Sequence, residues 1–320
     1  MIEKKNLVLQ EPKDKVSFID LLDRSLKGRT SGYFIEGKKL ALVEAGPGPS
    51  GGLVLQALAQ KGYAPEDLAY VIVTHLHLDH AGSAGYILQK CPNAKLVVHH
   101  RGALFLIDPT ALIEGSRNYY PDFEEKMLPV YPIPEDRIIR IEDNQSIDLG
   151  GRQLLFMHGE GHSRTHMTIL DSATNGIFSG DMAGLVYQEL EAQNIVFCFP
   201  STPPNQFEPS AFKRSVEKLR NLKPDILYFS HFGPSHARPD LYFDSCLDIL
   251  GQVVLAAQEI LSGEKGEATW QHVERRLHEI AAAELQKKGW PSQRPIPELL
   301  SVDININAKG LVDWWKRIQI

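Results

Sequence analysis

The sequence predicts an α+β protein in which two β-rich halves, each carrying helices, pack sheet on sheet with the helices outside, followed by a helical C-terminal appendage. Three observations predict it. Short apolar runs bounded by turn residues recur from Tyr33 to Phe229, a histidine cluster sits where one of these runs ends, and from about Arg238 onward helical periodicity takes over. A chain of 320 residues can bury a sizeable core, and the division expected is a catalytic domain over residues 1–237 with a helical extension over 238–320 packed on it.

The elements follow in order. Tyr33 to Ile35 and Leu40 to Val43 are apolar runs separated by Glu36-Gly37-Lys38-Lys39, the signature of a hairpin. Gly46-Pro47-Gly48-Pro49-Ser50-Gly51-Gly52 then precedes Leu53, Leu55, Leu58 and Ala59 at near-helical spacing. This loop lacks the Lys-Ser/Thr ending and the GxGxxG spacing of a phosphate cradle, so it reads as a strand-to-helix turn. Ala69 to Val73 is continuously apolar, as in a strand covered on both faces, and runs directly into Thr74-His75. A helix through Ala81, Ala84, Ile87 and Leu88 and a strand from Ala94 to Val98 come next. A second group of strands is expected at Arg137 to Ile141, Gln153 to Met157, Met167 to Leu170 and Gly176 to Phe178, then a helix from Phe212 to Leu222 and a last strand from Ile226 to Phe229. The tail reads as helices at Leu247 to Leu261, at Trp270 to Ile280 and at Leu311 to Ile318. Their apolar stripes, Trp314 and Trp315 included, are expected to face a core, with a lid or a homodimer contact as the alternative.

Composition narrows the classes. The hydrophobic fraction is 43% and the charged fraction 23%, those of an ordinary globular protein. The formal net charge of −6, with basic residues scattered, gives no electrostatic footprint for nucleic acid or an anionic membrane. No N-terminal apolar region and no run of membrane-spanning length are read, so a soluble cytoplasmic protein acting on a small molecule is expected. Cys91, Cys198 and Cys246 are widely separated and form no CxxC pair, which disfavours disulfides and thiolate metal sites.

The chemistry concentrates in Thr74-His75-Leu76-His77-Leu78-Asp79-His80. In an extended segment His75, His77 and Asp79 leave on one side, with Leu76 and Leu78 on the other, and His80 turns towards an adjacent site. Imidazole and carboxylate together suit zinc, and also iron or manganese. The bland alternative, a polar loop whose histidines cap and bond locally, requires four such positions to coincide by chance.

This HxHxDH motif resembles that of the metallo-β-lactamase superfamily, most closely its glyoxalase-II-like and related hydrolase branches. The resemblance covers about Tyr33 to Gly233 and extends to Gly161-His162, Ser179-Gly180-Asp181 and Ser230-His231-Phe232-Gly233, each after an apolar run. It implies a four-layer αββα sandwich. It also implies that His75, His77 and His162 hold one divalent metal ion, most naturally zinc, that Asp79, His80 and His231 hold a second, and that Asp181 bridges them. Asp79 would in addition aim the attacking water. Two departures stand out: Glu44-Ala45-Gly46 where relatives often carry Asp-Thr-Gly, and Glu160 in place of a proline before Gly161-His162. Either could change how the ligands are held. His158 and His166 are candidates for that supporting role, while His99, His100, His236, His272 and His278 read as surface or packing residues. Tyr119, Tyr120 and Tyr187 could line a cleft, although packing is the commoner use of such rings.

The resemblance implies hydrolysis of a thioester, lactone or other carboxylic-type ester by a binuclear centre. Two other readings stay open: an iron-dependent persulfide dioxygenase with one metal, and a non-catalytic metal-dependent binding module.

Overall fold

The computed structural model describes residues 10–117, 119, 122–263 and 269–319. A 7-stranded sheet runs in chain order through β1 (Gln10–Lys13), β2 (Val16–Asp20), β3 (Ser31–Glu36), β4 (Leu40–Val43), β5 (Leu68–Ile72), β6 (Lys95–His99) and β7 (Ile138–Ile141). Neighbours are antiparallel as far as β4 and parallel from there to β7. Parallel neighbours need crossovers. These contain α1 (Gly51–Gln60), then α2 (Leu78–Ala81) and α3 (Ala84–Lys90), then α4 (Leu104–Ile107), α5 (Thr110–Arg117) and α6 (Phe123–Lys126).

The second sheet has 6 strands, β8 (Ser146–Asp148), β9 (Gln153–His158), β10 (Met167–Asp171), β11 (Gly176–Gly180), β12 (Ile226–Phe229) and β13 (Gly233–Pro234), in the order β13-β12-β11-β10-β9-β8. The helices α7 (Gln188–Glu191), α8 (Pro209–Asn221), α9 (Pro239–Gly263), α10 (Trp270–Lys287) and α11 (Glu298–Ile318) complete the chain.

The period-2 alternation of strand side chains sorts the core into layers. Tyr33, Ile35, Ala41, Val43, Ile72 and Val97 of the first sheet meet Leu154, Phe156, Met167, Ile169, Phe178 and Tyr228 of the second in one buried cluster. The intervening Phe34, Leu40, Leu42, Val71 and Leu96 face outward against α1 and α3. On the far side, Met157, Ile177, Leu227 and Phe229 pack with residues of α8 to α11. The result is the helix-sheet-sheet-helix sandwich implied by the sequence.

Two expectations are corrected. The strand ending at Ile141 belongs to the first sheet, pairing in parallel with β6. The chain crosses to the second sheet only between Ile141 and Ser146, because a parallel crossover returns a strand beside the one it left. The second correction concerns the tail, where no run of membrane-spanning length is expected. By length and composition α9 could cross a membrane, with a mean hydropathy of 1.3 in its most apolar window. Its Tyr242, Phe243, Cys246, Ile249 and Val253 are buried in the core, and the Tyr242 ring lies 5.3 Å from that of Phe229 on β12, so this apolar face has a partner within the fold. The three cysteines are buried and free.

Candidate metal centre

Five strands end at one edge of the sandwich, and the residues that follow β4, β5, β9, β11 and β12 meet there. After β5 come Thr74 to His77; His77 precedes α2, and Asp79 and His80 lie on that helical turn. The extended-segment argument therefore holds only as far as His77, and Asp79 faces a different partner set from His75 and His77. His162 lies in the loop after β9, Asp181 follows β11, and His231 follows β12.

Two ligand groups result. His75 Nε2, His77 Nδ1 and His162 Nε2 stand 2.9, 3.1 and 3.1 Å from one another. Their rings meet edge to face, at interplanar angles of 79°, 82° and 66°, so their lone pairs converge on a common point. Nitrogens bound about 2.0–2.1 Å from a tetrahedral zinc ion would stand about 3.3 Å apart, and the triangle fits. In the second group His80 Nε2 and His231 Nε2 are 3.2 Å apart, and Asp79 Oδ2 lies 3.5 Å from each. Asp181 reaches both groups: Oδ2 is 3.5 Å from His162 Nε2, while Oδ1 is 3.3 Å from His80 Nε2 and 3.5 Å from His231 Nε2. Oδ1 of Asp79 and Oδ1 of Asp181 are buried without a hydrogen bond. Orphaned carboxylate oxygens in a ring of imidazoles are the donor set a pair of divalent cations would satisfy.

The Nδ1 atoms of three of these histidines are hydrogen-bonded. His231 Nδ1 donates to the Arg29 carbonyl at 2.6 Å, His162 Nδ1 to the Ser201 carbonyl at 3.4 Å, and His75 Nδ1 to Thr74 Oγ1 at 3.0 Å. Thr74 Oγ1 in turn donates to Glu44 Oε1 at 2.6 Å. The same Glu44 oxygen lies 3.2 Å from His80 Nδ1 and accepts from Ser230 Oγ at 2.7 Å. Each bond leaves Nε2 as the inward lone pair, the arrangement that orients metal-binding imidazoles. Glu44, noted in the sequence as a departure, is thus a carboxylate that supports both groups.

Charge follows the same division. Burial, reinforced by neighbouring imidazoles, holds His75 and His162 well below the ordinary histidine range, so both keep their lone pairs. Around His80 burial opposes the charge, but Asp79, Glu44 and Asp181 outweigh it and push the imidazole up to about 10. Burial likewise opposes ionisation of Asp79, and His80 and His231 overcome it, holding the carboxyl well below its usual range. Protons here stand in for the cations that these carboxylates attract.

Two glycines of the motifs have steric reasons. Gly180 has φ +53°, and a Cβ there would lie 2.4 Å from His166 Nε2 and 2.8 Å from Thr74 Oγ1; Gly161 has φ +116° and would meet Phe212 N at 2.1 Å. Only glycine lets the Asp181 and His162 turns approach so closely.

With this geometry in place, the family comparison is decisive. A family model described as the Metallo-beta-lactamase superfamily matches residues 27–231. The chain belongs to that superfamily. A relative, the metallo-beta-lactamase fold-containing protein ST1585 of Sulfurisphaera tokodaii, is 28% identical over 211 residues, 63% of this chain and 72% of its own. The crystal structure of ST1585, an archaeal metallo-beta-lactamase superfamily protein, shares the fold, with a TM-score of 0.65 and 22% identity over 94% of this chain and 100% of that one. An N-acyl homoserine lactonase of a Bacillus species is 27% identical over 212 residues, 64% of this chain and 70% of the lactonase. The human acyl-coenzyme A thioesterase MBLAC2 is 29% identical over 142 residues, 41% of this chain and 48% of the thioesterase.

Within this member of the superfamily the seven sequence-predicted ligands converge, and several neighbours escaped the sequence. Ser201 Oγ donates to Asp181 Oδ2 at 3.0 Å. Arg29 is paired with Asp23 and with Asp303 of α11, both at 2.7 Å. Arg29, Asp303 and Asn307 line the metal cleft. Of the supporting candidates, His166 is beside the site, its Nε2 accepting from the Asp181 N–H at 3.1 Å. His158 is not; it stacks on His99 at 3.9 Å, and that buried packing role fits the reading of His99. Tyr119 lines a neighbouring cleft, Tyr187 is buried and donates to Asp303 Oδ2 at 3.0 Å, and Tyr120 lies outside the described residues.

Proposed function

We propose that the chain hydrolyses carboxylic-type esters, thioesters and lactones foremost, with two divalent cations held by His75, His77 and His162 on one side and by Asp79, His80 and His231 on the other. Zinc is the natural occupant, with iron and manganese as the other candidates. The observation that carries this reading is the splay of Asp181, whose two oxygens face different histidine groups; a carboxylate can serve two cations at once. The names of the lactonase and thioesterase relatives add support for carboxylic-type esters.

When bound, the cations would lower the pKa of a shared water towards neutrality and supply Lewis acidity for the substrate oxygen. The rest falls to the chain. Asp79, kept ionised and with Oδ1 unbonded, accepts a hydrogen bond from the attacking water and directs its lone pair. The carbonyls of Arg29 and Ser201 fix the tautomers of His231 and His162, and Ser201 Oγ with His166 fixes Asp181. The metal cleft is small, about 40 Å³, which suits the reacting end of a small molecule.

The purified protein is expected to carry one to two transition-metal ions by elemental analysis, and chelation to abolish ester turnover until metal is restored. Zinc-, manganese- and iron-loaded protein would be screened against thioesters, lactones and phosphodiesters. Full ester turnover by metal-free protein would overturn the proposal. So would a single iron with oxygen uptake on a persulfide and no ester turnover, the signature of the dioxygenase alternative.

A further inference from the structure

Beside the metal cleft lies a larger cavity of about 230 Å³ that the hydrolytic machinery does not use. The two adjoin: His77, Pro203 and Ile306 line both. Its lining carries the apolar side chains of Leu76, Leu78, Phe105 and Leu112. Several polar groups along it are bonded within the fold. Ser116 Oγ donates to the Leu112 carbonyl at 2.8 Å, Ser163 and Thr165 pair through their hydroxyls at 3.5 Å, and Tyr119 donates to Asn205 Oδ1 at 2.8 Å, joining the two rims.

The helix α5 carries a second, independent observation. None of its residues is buried: Leu112 and Ile113 pack against Leu78, Phe123 and Met127 yet stay only partly covered, and Ala111 is exposed, so apolar surface of this helix remains uncovered beside the cavity. Gly115 lies on this helix and lines the cavity. Glycine is a poor helix former, and nothing lies within 4 Å of where its Cβ would be. No neighbour demands glycine there, and a longer side chain at this position would have open space to extend into.

We propose that this groove is the acyl subsite of the ester substrate, taking an unbranched apolar chain of medium length, with the scissile carbonyl at the metal end beside His77. The inference rests on the ester-hydrolase reading and names the half of the substrate that reading leaves open. An apolar cavity of about 150 Å³ holds a benzene ring, so about 230 Å³ suits a chain of roughly six to ten carbons.

The experiment has two arms. In the first, metal-loaded protein hydrolyses p-nitrophenyl esters from acetyl to decanoyl. The expected kcat/KM rises about fourfold per methylene to about eight carbons, and Gly115→Leu lowers the octanoyl value by about tenfold more than the acetyl value; Gly115→Ala lies between. In the second, butanamide, hexanamide and octanamide are titrated calorimetrically into chelator-treated protein, where no turnover intervenes. Affinity is expected to climb along the series and to be lost for octanamide in Gly115→Leu. Ester hydrolysis with no dependence on chain length, or an unchanged profile in Gly115→Leu, would overturn the acyl subsite and leave the hydrolase reading standing. Amide binding that is flat along the series would overturn it as well. No ester turnover at any length, with amide binding as expected, would instead remove the hydrolase reading and show the groove to be an apolar-chain site of another activity.

Discussion

Asp79 stands beside His80 and His231, whereas His166 holds the Asp181 N–H next to His75 and His162, and their substitution separates the roles. Asp79→Asn keeps size, removes the charge and replaces one of the two acceptor oxygens with a donor NH2, so kcat is expected to fall by about 10²–10⁴-fold with the fold retained. His166→Ala removes only the acceptor of the Asp181 N–H, and the expected loss is about 10–100-fold in metal affinity, recovered in part at high metal. Steady-state kinetics over a metal titration checks both. Equal losses at saturating metal would mean that the two side chains share one role. At this scale the sequence was legible where ligands are dense: four of the seven fall within His75 to His80, and strand-end positions supplied the others. Ser201 and Arg29 were not legible, because the former acts from an irregular segment and the latter through its main-chain carbonyl, which any residue could offer.

Elements were legible where one periodicity held. β3 to β6 and β9 to β12 alternate between two buried faces, and α8 to α11 show helical stripes, so both classes of segment were visible. β7 was placed in the wrong sheet because pairing partners are set by crossover topology, which local pattern does not encode. The interruption of α11 was a missed signal: Asp303 and Asn307, four apart, are buried amid Leu300, Ile304 and Leu311. Asp303 anchors Arg29 at 2.7 Å and accepts from Tyr187, fastening the helix to the segment whose carbonyl holds His231. Asp303→Ala leaves Arg29 buried with Asp23 as its remaining carboxylate, and a loss of about 3 kcal/mol in unfolding free energy is expected, measured by urea denaturation with metal saturated. A loss below about 0.5 kcal/mol, the range of an ordinary surface change, would mean that α11 is held by its apolar face alone.

For the molecule as a whole, the two sheets also touch through the stack of His99 from β6 on His158 from β9, a contact that individual motifs did not reveal. Burial, together with the His158 and His100 rings, pushes His99 down to about 3, against about 6.5 when unfolded. Between these values the unfolded chain binds the extra proton. Stability from this group is therefore full above about pH 6.5 and is lost as pH falls towards 3. His99→Phe keeps a ring in the stack without the titration. Its unfolding free energy, followed from pH 7 to 4.5 with metal saturated, is expected to decline less steeply than that of the wild type, and parallel curves would count against the assignment. The tail shares this whole-molecule character, since α9 to α11 bury the outer face of the second sheet and α11 supplies Asp303, Ile306 and Asn307 to the cleft.

Glu44 gives the centre one further property. Its carboxylate touches a histidine of each ligand group, His80 at 3.2 Å and His75 through Thr74. If His80 held a cation as proposed, its imidazole Nδ1 would draw on the same Glu44 oxygen that steadies Thr74 and, through it, His75. The two seats are then thermodynamically linked, and by reciprocity each occupant alters the affinity of the other by the same factor. With one oxygen shared in this way, the support gained at His80 would be lost at His75, so the linkage works against double loading and scarce metal would leave half-loaded molecules as the main population.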